Sequence, residues 1–366
     1  MSRKAYTAEY IFNGIDLLQH HAVIVEDGII EALLPLVSLG SDVEVIDFGN
    51  VYITPAFIDL QLYGANGRLL SVYPDAQTVQ DIATYCRNSG THYCMPTVAT
   101  NTYDVIFKCV DAIRDYWNTG GKGVLGLHVE GPWISKAKRG AHREEWIFSP
   151  TVDQVQELLD YGKDVIKMIT LAPEVCSDQI IKMIRERNIF VSGGHSNADY
   201  TTAHRAFDNG VDLATHLFNA MSPLQHREPG FVGAIFNHPT VKASIVADGH
   251  HVDFVALKIA KQMMGERLFV ITDAVTETTE GFYQHKFEGD KYTANGILSG
   301  SSLTMNKAVF NLVNYAGISV EEALRMCSLY PARAVKLSDE IGMIRREYRA
   351  DLIVMDQNFQ VLRTAL

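Results

Sequence analysis

The sequence predicts an α/β protein with a (β/α)8 barrel and a smaller β unit that both chain ends form. Eight apolar, strand-like runs follow one another through the middle of the chain, with amphipathic helical patterns between most of them. Short alternating segments with turn signals occupy the two ends. Five of the eight runs finish in polar, reactive side chains, as expected where barrel strands build a site at their C-terminal ends.

The two chain ends share a pattern of short apolar segments. Turn pairs separate these segments at Asn13-Gly14 and Asp27-Gly28, which is typical of antiparallel hairpin connections. The C-terminal segment RADLIVMDQNFQVLR predicts one or two further strands of the same kind. We therefore expect residues 1–53 and 345–366 to form one small β domain that brings the termini together, and residues 54–344 to form the barrel domain.

The middle of the chain alternates strand-like and helical patterns. The apolar runs are AFIDLQL, HYCMPTVA, GVLGLHVEG, VIKMITLAPE, IFVSGGHS, LATHLFN, KASIVADG and LFVITDAV. Helical patterns between them include TVQDIATYCRNSG, DVIFKCVDAIRDYW, SDQIIKMIRERN and FVALKIAKQMMG. Eight strands alternating with helices predict a (β/α)8 barrel. A doubly wound sheet is the alternative architecture, but no GxGxxG turn follows the first strand.

Composition narrows the class of protein and its partners. The 366 residues are 47% hydrophobic and 20% charged, as in soluble globular proteins. A net charge of −11 argues against non-specific nucleic-acid binding. We expect no membrane partner, because no apolar run approaches the ~18 residues of a spanning helix, and no signal peptide. Five cysteines without a CxxC pair predict reduced thiols and a cytoplasmic location.

Reactive side chains stand at the ends of successive strand-like runs. Because the carboxyl ends of barrel strands meet at one mouth, we expect these side chains to converge there. They are His128, Glu130, His195, His216, His250, His251 and Asp273.

Glu130, His195 and His216 are the candidate metal ligands. Two imidazoles and a carboxylate around one ion leave a coordination position for water, which is typical of catalytic zinc. Asp273 ends the eighth run, where it could take a proton from bound water. The alternatives are core histidines and a buried ion pair for the three ligands, and a helix N-cap for Asp273.

Several longer sequence motifs resemble those of a known protein family. The words are HVEGPWISKAKRGAH, GHSNADY, ATHLFNAMSPLQHREPGFVGAIF, ADGHHVD, ITDAV and GILSGSSLTMNKAV. Together, over about Pro55 to Arg333, they resemble the N-acetylglucosamine-6-phosphate deacetylase family of the amidohydrolase superfamily. The resemblance implies a TIM barrel with a small β-sandwich. It also implies a hydrolase of amino-sugar catabolism that cleaves the acetamide of N-acetylglucosamine 6-phosphate to glucosamine 6-phosphate and acetate.

The resemblance also implies roles for residues of this chain. It makes Glu130, His195 and His216 the metal ligands and Asp273 the general base that later acts as acid. It implies that His251 stabilises the oxyanion and contacts the acetamide or phosphate end of the substrate. The other implied substrate contacts are His142 to sugar hydroxyls, the backbones of Asn219 and Ala220 to the phosphate, and Arg227. In the family this arginine reaches the phosphate from the neighbouring subunit of a homodimer, and guanidinium suits phosphate oxygens well.

The first barrel strand departs from the superfamily pattern. Gln61 and Tyr63 in FIDLQLYG stand where many metal-dependent barrel hydrolases have a His-x-His pair. A neutral amide oxygen is a weak ligand for a transition metal, and a phenol must lose its proton to become a strong one. We therefore expect one divalent metal per subunit, zinc with Fe²⁺ as the alternative. We expect Gln61 to hydrogen-bond near the bound water rather than to ligate the metal.

Two other functions remain open from the sequence. A related amidohydrolase could deacetylate another N-acetyl amino sugar, such as the galactosamine 6-phosphate epimer, because one or two side chains read hydroxyl stereochemistry. A catalytically inactive barrel could serve as a binding or scaffold protein. The second alternative predicts loss of Asp273 or of a metal ligand, and the sequence retains all four residues.

Overall fold

The computed structural model divides the chain into two compact units. One comprises Met1–Asp59, Cys86–Tyr93 and Thr304–Leu366, and the other comprises Leu60–Tyr85 and Cys94–Leu303. The structure describes residues 3–41 and 43–364. Residues 1–2, 42 and 365–366, which the predicted small domain includes, lie outside the described residues. The predicted domain limits, residues 1–53 with 345–366 for the small β domain and residues 54–344 for the barrel domain, stay a prediction.

An eight-stranded parallel sheet forms the barrel. Its strands are β1 (Phe57–Leu62), β2 (Thr91–Ala99), β3 (Leu127–Glu130), β4 (Ile166–Leu171), β5 (Phe190–Gly193), β6 (Leu213–Ala214), β7 (Lys242–Val246) and β8 (Leu268–Ile271). They lie in chain order from β1 to β8. A parallel bridge between Leu62 and Ala274 joins the first strand to the residues after the last one, and Tyr63 N donates to Ala274 O at 2.8 Å. The predicted (β/α)8 barrel is confirmed.

Helices follow most of the strands. They are α1 (Ala76–Asn88), α2 (Tyr103–Asn118), α3 (Val152–Tyr161), α4 (Asp178–Glu186), α5 (Tyr200–Asp208), α6 (Gly230–Asn237), α7 (Phe254–Met264), α8 (Met305–Asn314), α9 (Val320–Cys327) and α10 (Leu329–Ala334). Side chains of Thr151, Ser177, Asp199 and Asp253 accept backbone hydrogen bonds at the starts of α3, α4, α5 and α7. These caps satisfy N–H groups that the first turn leaves without partners. No helix in the described part of the chain is long and apolar enough to cross a membrane.

Both chain ends contribute to a pair of small sheets. One sheet has the strands Ile29–Pro35, His21–Glu26, Lys4–Thr7 and Glu44–Asp47, and the other has Val361–Arg363, Leu352–Met355, Tyr52–Pro55, Tyr10–Phe12 and Leu17–Leu18. Buried apolar side chains of both sheets pack in one cluster, as in a β-sandwich. The antiparallel arrangement expected from the turn pairs is wrong in part. Lys4–Thr7 and Tyr10–Phe12 each have a parallel neighbour, because turn residues specify only the pairing of consecutive strands.

Two smaller sheets lie in the second unit. Gly64–Ala65 pairs with Arg68–Leu69 directly after β1. Lys286–Glu288, Lys291–Ala294 and Ile297–Ser301 form an antiparallel three-stranded sheet after β8. Both follow the carboxyl ends of barrel strands, where barrel enzymes place their sites.

Candidate active site and metal centre

Three of the predicted site residues have unusual backbone conformations just beyond the strand ends. Glu130 is the last residue of β3, whereas His195, His216 and Asp273 lie two residues beyond β5, β6 and β8. The last three have φ values of 47°, 37° and 55°. Left-handed backbone is uncommon for residues other than glycine, and it clusters at functional sites. Each strand therefore turns sharply at its end and directs one reactive side chain into the mouth.

The three predicted ligands converge on one point. Glu130 Oε1 lies 3.1 Å from His216 Nε2 and 3.4 Å from His195 Nε2. The two Nε2 atoms are 3.1 Å apart. Neighbouring ligands of a tetrahedral zinc with bonds of about 2.0–2.1 Å are ~3.3 Å apart. All three residues are buried, and this cluster is able to hold a metal ion.

Hydrogen bonds indicate which imidazole atoms face the cluster. His195 Nδ1 lies 2.8 Å from the carbonyl oxygen of Lys138, so Nδ1–H donates there and Nε2 presents its lone pair to Glu130. Two acceptors then face each other, an arrangement that a bound cation stabilises. His216 is fixed through its backbone N–H, which donates to Ser244 Oγ at 2.8 Å. Its Nδ1 has no hydrogen-bond partner among the described residues.

The two carboxyl groups have opposite pKa shifts. Burial disfavours the charge of Glu130, but hydrogen bonds from His142 and His216 outweigh burial and hold its pKa well below the ordinary value. Burial raises the pKa of Asp273, and the Glu130 charge raises it further although His216 opposes the rise. Glu130 therefore suits a permanent ligand and Asp273 suits a proton acceptor.

Gln61 and Tyr63 bridge these two carboxyl groups. Gln61 Nε2 donates to Asp273 Oδ1 at 2.7 Å and to Glu130 Oε1 at 3.1 Å. Tyr63 OH donates to Glu130 Oε2 and lies 3.3 Å from Asp273 Oδ1. Burial, together with the charges of both carboxylates, raises the pKa of Tyr63 well above its ordinary value. The phenol therefore stays protonated and serves as a donor beside the cluster.

A cavity of about 190 Å³ opens over the cluster. Of the predicted substrate-binding residues, His142, Asn219, Ala220 and His251 line it. His142 Nε2 lies 3.3 Å from Glu130 Oε2, and burial lowers the pKa of His142 to about 4. This ring is therefore neutral.

An aspartate orients the His251 ring. His251 Nδ1 lies 2.7 Å from Asp248 Oδ2, and Asp248 Oδ1 also accepts from the backbone N–H groups of His250 and His251. These bonds hold the short turn after β7 and leave His251 Nε2 on the cavity side of the ring.

Two of the expected strand-end side chains do not reach the cavity. His128 is two residues before Glu130 on β3, so it points into the barrel one layer deeper. Its Nε2 lies 2.7 Å from Thr170 Oγ1. His250 instead has its Nε2 2.9 Å from Asp290 Oδ2. The expectation that all seven side chains converge is wrong for these two histidines.

Arg227 lies on an exposed loop, and it is not among the residues that line the cavity of its own chain.

The pattern of side chains at the strand ends did not predict part of the cavity wall. Leu69, Val275 and Tyr283 form a buried apolar cluster on this wall, and Tyr283 OH donates to Thr100 O at 2.6 Å. His285, Leu298, Ser299 and Gly300 also line the cavity. The only signal for this region in the sequence was the word GILSGSSLTMNKAV, which gives no contact.

Comparisons with known proteins agree with this geometry. Residues 52–365 match the amidohydrolase family, and residues 5–50 match the NagA composite domain. The N-acetylglucosamine-6-phosphate deacetylase of Haemophilus influenzae is 35% identical, and the alignment covers 97% of this chain and 96% of the relative. The N-acetylgalactosamine-6-phosphate deacetylase of Escherichia coli O157:H7 is 31% identical over 94% of this chain and 93% of the relative.

A solved structure extends the likeness to three dimensions. The crystal structure of N-acetylglucosamine-6-phosphate deacetylase from Pasteurella multocida superposes with a TM-score of 0.94 at 34% identity, over 100% of this chain and 98% of that one. The resemblance that the sequence words carried is therefore confirmed, and the chain belongs to the amidohydrolase family.

Proposed function

We propose that this chain hydrolyses the acetamide bond of N-acetylglucosamine 6-phosphate to give glucosamine 6-phosphate and acetate. The observation that carries the proposal is the Glu130–His195–His216 cluster with Asp273 beside it at the mouth of the barrel. Relatives named for this reaction match the chain over nearly its whole length. The limits inferred from the sequence, residues 54–344, enclose all four of these residues.

The cofactor is one divalent metal ion per subunit, zinc in preference to Fe²⁺. Glu130, His195 and His216 would hold it, because two imidazoles and a carboxylate suit zinc and leave a position open. When bound, the metal lowers the pKa of a water toward ~7 and polarises the acetamide oxygen. Gln61 and Tyr63 satisfy the carboxylate oxygens that a second ion would otherwise need.

In this proposal Asp273 accepts the proton and later donates it. Gln61 holds its Oδ1, which leaves Oδ2 to accept a proton from the attacking water. The same oxygen then gives the proton to the leaving nitrogen, because an unprotonated amide anion would be too basic to leave. The raised pKa of Asp273 fits the first step, since a carboxyl group that holds a proton more tightly is the better base.

The remaining residues hold the sugar phosphate. Asn219 and Ala220 would offer backbone donors to the phosphate, and His142 would contact sugar hydroxyls. His251 Nε2, on the side of the ring away from Asp248, would contact the acetamide or phosphate end. Arg227 would reach the phosphate from the partner subunit of a homodimer, which its exposed position permits.

Acetate release from a panel of sugars tests the reaction. Equal amounts of purified protein with added zinc are given N-acetylglucosamine 6-phosphate, its galactosamine epimer, and unphosphorylated N-acetylglucosamine. We expect the highest kcat/KM with the first sugar. A higher value with the epimer would select the second candidate, which the 31% identical galactosamine-type relative supports. No acetate release from any of the sugars would reject both.

Arg227→Ala tests the phosphate contact and the dimer together. We expect a much larger rise in KM for the phosphorylated sugar than for the unphosphorylated one, because only the first loses a charge-assisted contact. Arg346→Ala is the matched control, since this side chain is 77% exposed and should leave both KM values unchanged. Equal rises for the two sugars would contradict the phosphate role, and a monomer in sedimentation would contradict the delivery by a partner.

We also place the protein in the cytoplasm. All five cysteines are free and buried, as expected in a reducing compartment. Fractionation of cells that produce the protein would check this location.

A further inference from the structure

Four buried polar side chains lie directly beneath the predicted ligands. Thr170 Oγ1 is 2.7 Å from His128 Nε2 and 2.7 Å from Thr215 Oγ1. Thr215 Oγ1 is in turn 2.6 Å from Ser192 Oγ. None of the four residues is more than 2% exposed. We call His128, Thr170, Ser192 and Thr215 the polar layer.

The hydrogen bonds of the polar layer all donate in the same order, from Ser192 toward His128. His128 Nδ1 lies 3.3 Å from the carbonyl oxygen of Leu60, so this nitrogen carries the proton and Nε2 accepts. Thr170 must then donate to His128 Nε2, Thr215 must donate to Thr170, and Ser192 must donate to Thr215. Loss of one hydroxyl therefore leaves a buried neighbour without its partner.

The polar layer connects the strands that end in the ligands. Ser192 lies on β5 three residues before His195, and Thr215 directly precedes His216. His128 lies two residues before Glu130 on β3. Thr170 lies on β4, and its bond to Thr215 connects β4 to the residue that follows β6, a strand that is not a neighbour of β4 in the sheet.

Close packing also links the polar layer to the backbone next to His195. A Cβ atom on Gly194 would lie 2.8 Å from Thr170 Cγ2 and 2.9 Å from Thr215 Cβ. The two threonines therefore pack against the backbone of Gly194, immediately before the ligand. A shift of either threonine would move the end of β5.

We propose that the polar layer positions the three metal ligands, with Thr170 as its central positioning residue. It fixes the spacing between the ends of β3, β5 and β6, while the ligand side chains supply the metal bonds. The proposal rests on the proposed metal centre and not on the identity of the sugar. A polar core that only stabilises the barrel would affect unfolding without changing metal affinity.

Zinc affinity of Thr170→Val tests the proposal. Valine keeps the shape and removes the hydroxyl, so His128 and Thr215 each lose a partner. We expect the zinc dissociation constant, measured by competition with a fluorescent chelator, to rise about tenfold, at the low end of the losses that supporting residues cause. Thr170→Ser restores the hydroxyl and should return the constant to within about threefold of wild type.

Thr97→Val is the matched control. Thr97 lies on β2, is 1% exposed, and donates to Met95 O at 3.1 Å instead of joining the polar layer. We expect this variant to lower the Tm of the metal-free protein while its zinc dissociation constant stays within about twofold of wild type. The Tm gained on adding zinc should shrink for Thr170→Val and stay constant for Thr97→Val.

The outcomes separate the two proposals. If Thr170→Val binds zinc as wild type does and only loses Tm, the polar layer is structural and the proposal is wrong. If wild type itself binds no zinc, the metal centre fails and the positioning role fails with it. If Thr170→Val does not fold, Ser192→Ala removes the last donor of the polar layer and takes its place, and an unchanged zinc affinity there would overturn the proposal.

Discussion

The two carboxyl groups at the barrel mouth have different surroundings, although both are buried. Glu130 faces the imidazole side, which consists of His142, His195 and His216. Asp273 faces the amide–phenol side, where Gln61 Nε2 donates to it and Tyr63 OH lies 3.3 Å from its Oδ1. Burial alone would raise both pKa values, and only the imidazole side reverses the effect.

Because of this difference, Glu130 suits a role in which it keeps its negative charge, whereas Asp273 suits one in which it gains and loses a proton. Hydrogen bonds from His142 and His216 stabilise a permanent anion at Glu130, which suits metal binding. Neutral donors beside Asp273 orient one oxygen without adding positive charge, so the carboxyl group can take and release a proton. With Gln61 and Tyr63 in place of a His-x-His pair, the described residues hold one candidate metal cluster, and the opposite side of the mouth suits the proton transfer that we propose for Asp273.

Asp273→Asn would break the comparison on the amide–phenol side, with the largest expected effect. An amide cannot take the proton, so we expect kcat to fall by about 10²–10⁴-fold. The three ligands are untouched, so zinc content by mass spectrometry should stay at one per chain. Loss of the zinc together with the activity would show instead that Asp273 is a ligand.

Glu130→Gln would break the comparison on the imidazole side. We expect the zinc dissociation constant to rise at least about 100-fold, because the only permanent anion of the cluster is lost. Activity should recover in part at high zinc concentration, whereas the activity of Asp273→Asn should not. A Glu130→Gln variant that kept its zinc but lost turnover would exchange the roles assigned to the two acids.

The double variant Gln61→His with Tyr63→His would convert the amide–phenol side into a second imidazole side. Two histidines at these positions, with Glu130 and Asp273, would offer a second ion the ligands that it now lacks. We expect the zinc content to rise from one to two per chain. The single variant Gln61→His is the control, and it should stay at one because the Tyr63 phenol still donates to Glu130 Oε2 and keeps that oxygen from a second ion. A double variant that still held one ion would contradict the idea that these two residues exclude the second.

Sequence reasoning predicted the barrel and the ligands because both follow from position along strands. Glu130, His195 and His216 stand where parallel strands end, and those ends must meet. The same reasoning placed His128 at the mouth, because apolar runs do not show at which layer of a strand an imidazole lies. The sixth strand is shorter than its apolar run, with only Leu213–Ala214 in regular pairing, because the chain turns at His216.

Other parts of the site depend on contacts between segments that are distant in sequence. Tyr283 and His285 lie on the wall of the cavity because the chain after β8 returns over the mouth, and no local pattern predicts that return. The bond of Tyr63 to Glu130 spans 67 positions, so the loss of the His-x-His pair was visible in the sequence but the contacts of its replacements were not. The position of Arg227 at a neighbouring cavity stays a prediction, since it needs a second chain.

Tyr63→Phe would sharpen the comparison with the smallest expected effect. It removes the donor to Glu130 Oε2 and leaves the ring in place. A hydrogen bond to a charged group contributes about 1.5–3 kcal/mol, so we expect kcat/KM to fall about tenfold at the low end of that range. Zinc content should stay at one per chain, because the three ligands remain.

Tyr93→Phe is the matched control, because it removes another phenol from a carboxylate outside the cavity. Tyr93 OH donates to Asp351, and both residues lie in the compact unit that does not contain the metal cluster. Its loss should lower the free energy of unfolding as Tyr63→Phe does while kcat/KM stays unchanged. If both variants lowered kcat/KM equally, Tyr63 would contribute only to stability. The amide–phenol side would then depend on Gln61 alone to orient Asp273.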